Sequence, residues 1–250
     1  MAFKVVIPAR YKSTRLPGKP LIEINGIPMI IHVAKKARMS GAEEVIIATD
    51  DERIIDVATK YDFEALMTSE NHISGTDRVL EVVTKKKWSD NELIINVQGD
   101  EPLIDPQLIK LLYEGMSEED LNYATAASKF KSYEDYDDSN NVKVILGKDN
   151  FAIYFSRSKI PHFMSNESNF WNPNISFHHI GLYGYTPKLL RSFCNLPESK
   201  HEAAEKLEQL RAIDNNLRIK VFEYRGNHIK GVDTLDDLAA IKKYLEGSSR

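Results

Sequence analysis

Three apolar runs, Phe3-Lys4-Val5-Val6-Ile7, Val45-Ile46-Ile47-Ala48-Thr49 and Leu93-Ile94-Ile95-Asn96-Val97, alternate with stretches of helical period. This alternation constrains the chain more than any other feature. Each run is short, continuous and β-branched, as in a strand buried on both faces of a parallel sheet. Between the first two, Pro28 can open a helix. Met29, Val33 and Ala37 share one face with Ile30 and Ala34, and Gly41 can stop it. Glu52–Tyr61 reads as a second helix, Phe63–Met67 as a short strand, and Thr76–Lys87 as a third helix carrying Val79 and Val83 on one face. Strands separated by helices of this length predict an α/β fold with a mostly parallel central sheet flanked by helices.

The second half is more mixed. Leu121–Ala127, Val142–Leu146, Ala152–Phe155, Ile175–Tyr185 and Ile219–Tyr224 read as strands, and Pro187–Cys194, Glu202–Ile213 and Leu235–Leu245 as helices. Ser132–Asn141 reads as an acidic loop, and His162–Asn174 as a polar loop with Phe170-Trp171 embedded. Without a linker of biased composition, the chain reads as a single domain, 1–250. Its first half, 1–127, suits a nucleotide; 128–225 forms a second half; 226–250 returns to the core. A net charge of −4 gives no global basic field for nucleic acid. One cysteine, Cys194, excludes an internal disulfide and a multi-cysteine zinc site. No apolar run approaches the roughly 18 residues that span a bilayer, and the N-terminus leads directly into a strand. These features predict a cytoplasmic protein without membrane attachment.

The loop after the first strand carries Arg10, Lys12, Arg15 and Lys19 with no acid before Glu23. Four cations so close repel one another unless an anion arrives. A basic loop at the end of a first α/β strand suits a phosphate chain; a solvated charge run is the plainer alternative. Asp100 closes Gln98-Gly99-Asp100 at the end of the third apolar run, in the crevice where α/β sheets bind ligands. Ser74-Gly75-Thr76 runs into a helix, where it either caps that helix or lets a base or ribose approach the backbone. Asp233 precedes the last helix and can serve as its cap.

These segments carry a resemblance. Pro8-Ala9-Arg10-Tyr11-Lys12-Ser13-Thr14-Arg15-Leu16-Pro17-Gly18-Lys19-Pro20-Leu21, His72-Ile73-Ser74-Gly75-Thr76-Asp77-Arg78 and Asn96-Val97-Gln98-Gly99-Asp100-Glu101-Pro102 occur in order. Tyr154-Phe155-Ser156-Arg157, His179-Ile180-Gly181-Leu182-Tyr183-Gly184-Tyr185, Leu207-Glu208-Gln209-Leu210-Arg211 and Gly231-Val232-Asp233-Thr234 follow. Together they resemble the sugar-acid cytidylyltransferases over nearly the whole chain.

The resemblance implies a Rossmann-like nucleotide-diphospho-sugar transferase fold, a homodimer, and transfer of CMP from CTP to an acidic sugar, KDO or a close analogue, with Mg²⁺ and release of pyrophosphate. It assigns Arg10, Lys19, Asp100 and Asp233 to catalysis, and Asp100 and Asp233 to the metal. Ala9, Arg10, Ser13, Arg15, Lys19, Ser74, Gly75, Arg78 and Gln98 would hold CTP. Gln98, Arg157, His179, Tyr185, Glu208 and Gln209 would hold the sugar, with the Arg157 fork on its carboxylate. Asp100 and Asp233, brought together, would repel by roughly 1 kcal/mol at 4 Å even at the dielectric of water. The chain departs from the family pattern at His178, where Arg or Lys commonly stands; this bears on the charge near the sugar. An NAD-dependent oxidoreductase is disfavoured, because no Gly-x-Gly-x-x-Gly follows the first strand. A non-catalytic sugar-nucleotide-binding module would not need both aspartates.

Overall fold

Strand β1 (Phe3–Ala9) sits at the centre of the molecule, and its alternating side chains feed two different cores. The computed structural model of the protein describes residues 2–12, 16–164 and 170–248. A 3-10 turn, Lys19–Leu21, and a two-residue ladder of β2 (Glu23–Ile24) and β3 (Ile27–Pro28) lead into α1 (Met29–Met39). Then come β4 (Glu44–Thr49), α2 (Glu52–Lys60), β5 (Glu64–Met67), α3 (Gly75–Lys86), β6 (Leu93–Asn96), α4 (Pro106–Glu118) and β7 (Tyr123–Lys129). The second half holds α5 (Tyr133–Asp137), β8 (Lys143–Leu146), β9 (Ala152–Ser156), β10 (Ser176–Tyr185) and α6 (Pro187–Cys194). It ends with α7 (Lys200–Glu205), α8 (Gln209–Asp214), β11 (Lys220–Glu223) and α9 (Leu235–Ser248).

The main path of the sheet runs β11-β7-β10-β6-β1-β4-β5. β1 pairs in parallel with β4 and β6, β4 with β5, and β7 with β11. β10 runs antiparallel to both β6 and β7, so it alone reverses the direction of that path. β8 pairs with β10 and with β9, forming the antiparallel extension. Phe3, Val5 and Ile7 meet Ile30, Ala34, Ile54, Leu108 and Leu112 on one face; Val6 meets Val79, Val83, Leu190, Phe193 and Leu210 on the other. Helices α1, α2 and α4 thus cover one side and α3, α6 and α8 the other, the expected three layers.

Three elements depart from the sequence expectation. Helix α4 lies where none was expected, although Asp105 caps it, Pro106 opens it and Leu108, Ile109, Leu112 and Met116 line its buried face. The helix expected over Glu202–Ile213 breaks in two, because Lys206 takes the left-handed conformation at φ 54° and ends α7. The loop expected over Ser132–Asn141 contains α5, capped by Ser132. Within the polar stretch that follows β9, Trp171 stacks on Tyr136 with ring centres 5.8 Å apart, while Met164 and Phe170 are exposed. No helix among the described residues is long and apolar enough to cross a membrane.

Candidate active site

The carboxyl ends of β1 and β6 touch. A side chain on Gly99 would bring its Cβ within 2.7 Å of the Pro8 carbonyl oxygen, so only glycine lets the two strand ends approach this closely. Gly231 does the same for the loop before α9: a Cβ there would lie 2.7 Å from the Asp100 carbonyl oxygen. The next amide, Val232 N–H, donates to that same oxygen at 2.9 Å. These close approaches bring Asp233 beside Asp100.

Between the two carboxylates lies Lys19. Its ammonium donates to Asp100 Oδ2 at 2.7 Å and to Asp233 Oδ1 at 3.3 Å. The sequence expectation of two aspartates facing each other unscreened is therefore corrected in part: a lysine 214 residues from Asp233 bridges both and offsets one of their two charges. Thr234 caps α9. Thr234 Oγ1 accepts from Asp237 N–H, and the Asp237 carboxylate accepts from the amides of Asp233 and Thr234. The Asp233 carboxylate faces the lysine. Next to this cluster Glu101 Oε2 is buried without a hydrogen-bond partner. Burial, then the charges of Asp100 and Asp233, push its carboxyl up to about 8.

This cluster forms one end of a pocket of about 360 Å³. Ala9, Arg10, Ser74, Gly75, Arg78 and Gln98 line the remainder, so the structure brings together most of the residues assigned to a nucleotide. Arg10 is exposed at the rim. Ser13 and Arg15 lie outside the described residues. Ser74 caps α3 through a capping box with Asp77 and lines the pocket as well, so both readings of Ser74-Gly75-Thr76 hold at one position. Arg78 is corrected in part: it borders the pocket, but its guanidinium is bound to Asp50 Oδ2 at 2.9 Å and to Thr68 Oγ1 at 2.5 Å. An anion would have to compete with those partners.

Two pocket residues escaped the assignment by residue type. His72 Nε2 meets Glu81 Oε2 at 2.5 Å, and Glu81, which also pairs with Lys85, is held down to about 2 despite its partial burial. Ile73 is 91 % exposed at the pocket edge, an unusual place for an isoleucine. The signal available for both was the His72–Arg78 motif that contains them.

The remaining sugar-assigned residues form an inner group behind α3. Thr76 Oγ1 donates to Glu208 Oε2 at 2.5 Å, which ties the break between α7 and α8 to the start of α3. Burial raises the Glu208 carboxyl above its usual range, against the opposing pull of the Thr76 hydroxyl. Tyr185 is fully buried and its phenol is pushed up by burial, then by Glu208. The Thr125 hydroxyl donates to the Leu182 carbonyl oxygen at 2.7 Å, so it accepts from His179 Nε2–H at 3.0 Å. Burial holds His179 down to about 3, a neutral ring. Glu208 Oε1 and Gln209 Nε2 are buried with no hydrogen-bond partner.

Arg157 lies outside the lining of the pocket. Its Nε donates to the Glu205 carbonyl oxygen at 2.8 Å and its Nη1 to that of Ser139 at 3.3 Å. His178 lies on the strand face opposite His179. Consecutive strand residues point to opposite faces, and His178 stacks on Phe130 and faces His228, away from the partners of His179. Its ring still adds to the depression of the His179 pKa, after burial. Cys194 is pushed up to about 12, chiefly by burial, so it carries no reactive thiolate at neutral pH.

Asp100 and Asp233 suit a divalent cation. Mg²⁺ takes one or two carboxylates and completes its shell with substrate phosphates and water. A cation, Lys19, already bridges the pair. Among the described residues no group of three His, Cys, Asp or Glu side chains is clustered for a metal.

Comparison with known proteins identifies relatives over the full length. The family model described as Cytidylyltransferase matches residues 4–219. The 3-deoxy-manno-octulosonate cytidylyltransferase of Haemophilus influenzae (strain PittEE) is 43% identical over 251 residues, covering 98% of this chain and 99% of its own. The enzyme of the same name from a Nitratiruptor species is 46% identical over 240 residues, covering 95% of this chain and 97% of its own. Among solved structures, a CMP:2-keto-3-deoxy-manno-octonic acid synthetase complexed with CTP superposes with a TM-score of 0.90 at 38% identity, covering 99% of this chain and 100% of that one.

Proposed function

Because this chain belongs to the cytidylyltransferase family, we propose that it activates the sugar acid KDO with CTP, giving CMP-KDO and pyrophosphate for lipopolysaccharide assembly. The single observation that carries this reading is the Lys19 ammonium held between Asp100 and Asp233 at one end of a pocket of nucleotide size. A hydroxyl oxygen of the sugar, giving up its proton to solvent, bonds to the α-phosphorus of CTP; the bond from that phosphorus to the α,β-bridging oxygen breaks and pyrophosphate leaves. Such transfers need positioning and charge neutralisation more than covalent help.

Lys19 supplies a point charge already in place before a triphosphate arrives. Arg10 at the rim adds a planar fork. Ser74 and Gly75 hold the base and ribose against the start of α3. Gln98, at the end of β6, faces the junction of nucleotide and sugar. Asp100 and Asp233 would hold Mg²⁺, which when bound withdraws charge from the phosphates and acidifies a coordinated hydroxyl. Gln209 Nε2, buried without a hydrogen-bond partner, and Glu208 Oε1, which has only the Arg211 guanidinium at 3.9 Å, support a polyhydroxylated acceptor at the inner group, since buried polar atoms without hydrogen bonds are costly and sugar hydroxyls would supply them. Arg157 is the counter-charge for the sugar carboxylate. The chain acts as a homodimer, to which exposed Met164 and Phe170 offer apolar surface.

The test is pyrophosphate release with CTP, ATP or UTP against KDO, its 8-amino analogue and a sialic acid, with and without Mg²⁺. The reading expects turnover only with CTP and Mg²⁺, fastest with KDO. Equal rates with ATP, or binding without turnover under every condition, would overturn it.

A further inference from the structure

His178, which the site does not use, lines a second cavity of about 850 Å³ on the other face of β10. The ends of β7 and β11 and the loop that follows β11 form its walls. That volume is more than twice the nucleotide pocket's and falls in the range of small-molecule sites. Four cations line it, Lys129, Lys131, Arg225 and Lys230. Lys129 and Lys131 are steadied by neutral groups: each ammonium donates to a side-chain amide oxygen at 2.6 Å, that of Asn174 and of Asn227 respectively. Three carboxylates share the cavity, Asp135, Asp138 and Glu223. Asp138 Oδ1 accepts from the Asn140 backbone and side chain at 2.8 and 2.9 Å, and Glu223 lies 3.7 Å from Arg225. No ion pair joins any carboxylate to Lys129, Lys131 or Lys230 among the described residues. Phe130 stacked on His178, with ring centres 5.3 Å apart, adds a flat wall.

We infer that this cavity is a second binding site, for a small phosphorylated molecule whose body packs on the Phe130–His178 wall. Lysines held in position without carboxylate partners are poised to take a phosphate as point charges. The same loop reaches the active site. Arg225, Gly226, His228 and Lys230 border the cavity, and three residues after Lys230 comes Asp233, anchored through Gly231 and Val232 to Asp100. A ligand in the cavity fixes the loop that presents Asp233, and so couples to catalysis.

Calorimetry with inorganic phosphate and with ribose 5-phosphate, on the wild type and on Lys131→Gln/Lys230→Gln, tests this. Losing two charge-assisted contacts should weaken phosphate binding by roughly a hundredfold or more. Nuclear magnetic resonance of the His178 and His228 rings locates the ligand. Lys131, Lys143 and Lys230 face these rings and Asp138 opposes them, so a bound dianion should raise both ring pKa values in the wild type and neither in the variant. Tighter binding of ribose 5-phosphate than of inorganic phosphate assigns an organic phosphate; equal binding confines the site to the bare ion and overturns the role of the flat wall. No saturable binding of either probe at millimolar concentration, or binding unchanged in a double variant of normal thermal midpoint, overturns the site. The readout is binding, so the result stands whichever sugar the active site uses.

Discussion

The outer pocket and the inner group reach polar function by opposite routes. In the outer pocket, charge answers charge in an open cleft: the Asp100 and Asp233 side chains are 38% and 36% exposed, with Lys19 between them. In the inner group, Tyr185, His179 and Gln209 are built into the core, and desolvation sets their chemistry. The difference teaches where function can be separated from folding. A ligand can replace Lys19's partners one for one, with no apolar packing disturbed. A change at the inner group disturbs packing and ligand together.

Four substitutions sharpen or break this contrast. Lys19→Ala should lower kcat/KM roughly ten- to a hundredfold, the worth of a charge-assisted contact of about 1.5–3 kcal/mol, with the thermal midpoint little changed. An unfolded Lys19→Ala protein would erase the distinction. Thr76→Val removes the donor to the buried Glu208 carboxylate and should cost about 1–3 kcal/mol of stability, read as a lower urea midpoint. Unchanged stability would make the inner group as separable as the outer pocket. Arg157→Lys keeps the charge but loses the fork; a several-fold rise in the KM for the sugar is expected with CTP affinity intact. Loss of CTP affinity instead would move Arg157 to the nucleotide side.

The fourth substitution concerns acid stability. Burial pushes His178 and His228 down to about 4 from an ordinary 6.5. Between those values the unfolded chain binds more protons than the native one. The histidines' contribution is therefore complete at neutral pH and is lost as the pH falls from about 6.5 toward about 4. His178→Phe should flatten that loss when stability is followed across this window. An unaltered pH profile would show that the ring titrates normally in the native protein.

Much of this was legible in the sequence, and the failures have physical causes. The strands β1, β4 and β6 are continuous apolar runs, which period and composition reveal directly. Helix α4 carried ordinary signals, an Asp cap, Pro106 and a spaced apolar face, so nothing hidden explains its omission. The break at Lys206 is different: only the tertiary pull that buries Leu207 and brings Glu208 to Thr76 selects a left-handed lysine there. Charge type marked Lys19 and Asp100 as site residues. Their bridge to Asp233 depends on Gly99 and Gly231, whose close approaches no local pattern announces. Arg78 looked like a ligand for an anion because its partner Asp50 belongs to a different strand end, 28 residues away. Tyr185, His179 and Gln209 are buried and read as core by every local rule; only their motifs single them out.

Lys19, Asp100 and Asp233 should behave as one cation-exchanging unit. Thermal unfolding of the wild type, Asp100→Asn, Asp233→Asn and the double variant, each with and without Mg²⁺ plus CTP, tests it most directly. Ligands that bind the native state raise its apparent stability. The wild type should gain a clear upward shift, both single variants should lose nearly all of it, and the double variant should be no worse than either, because residues acting through one partner are not additive. A full ligand-induced shift in Asp233→Asn, or separate and additive losses in the double variant, would show that the three residues do not act as one unit.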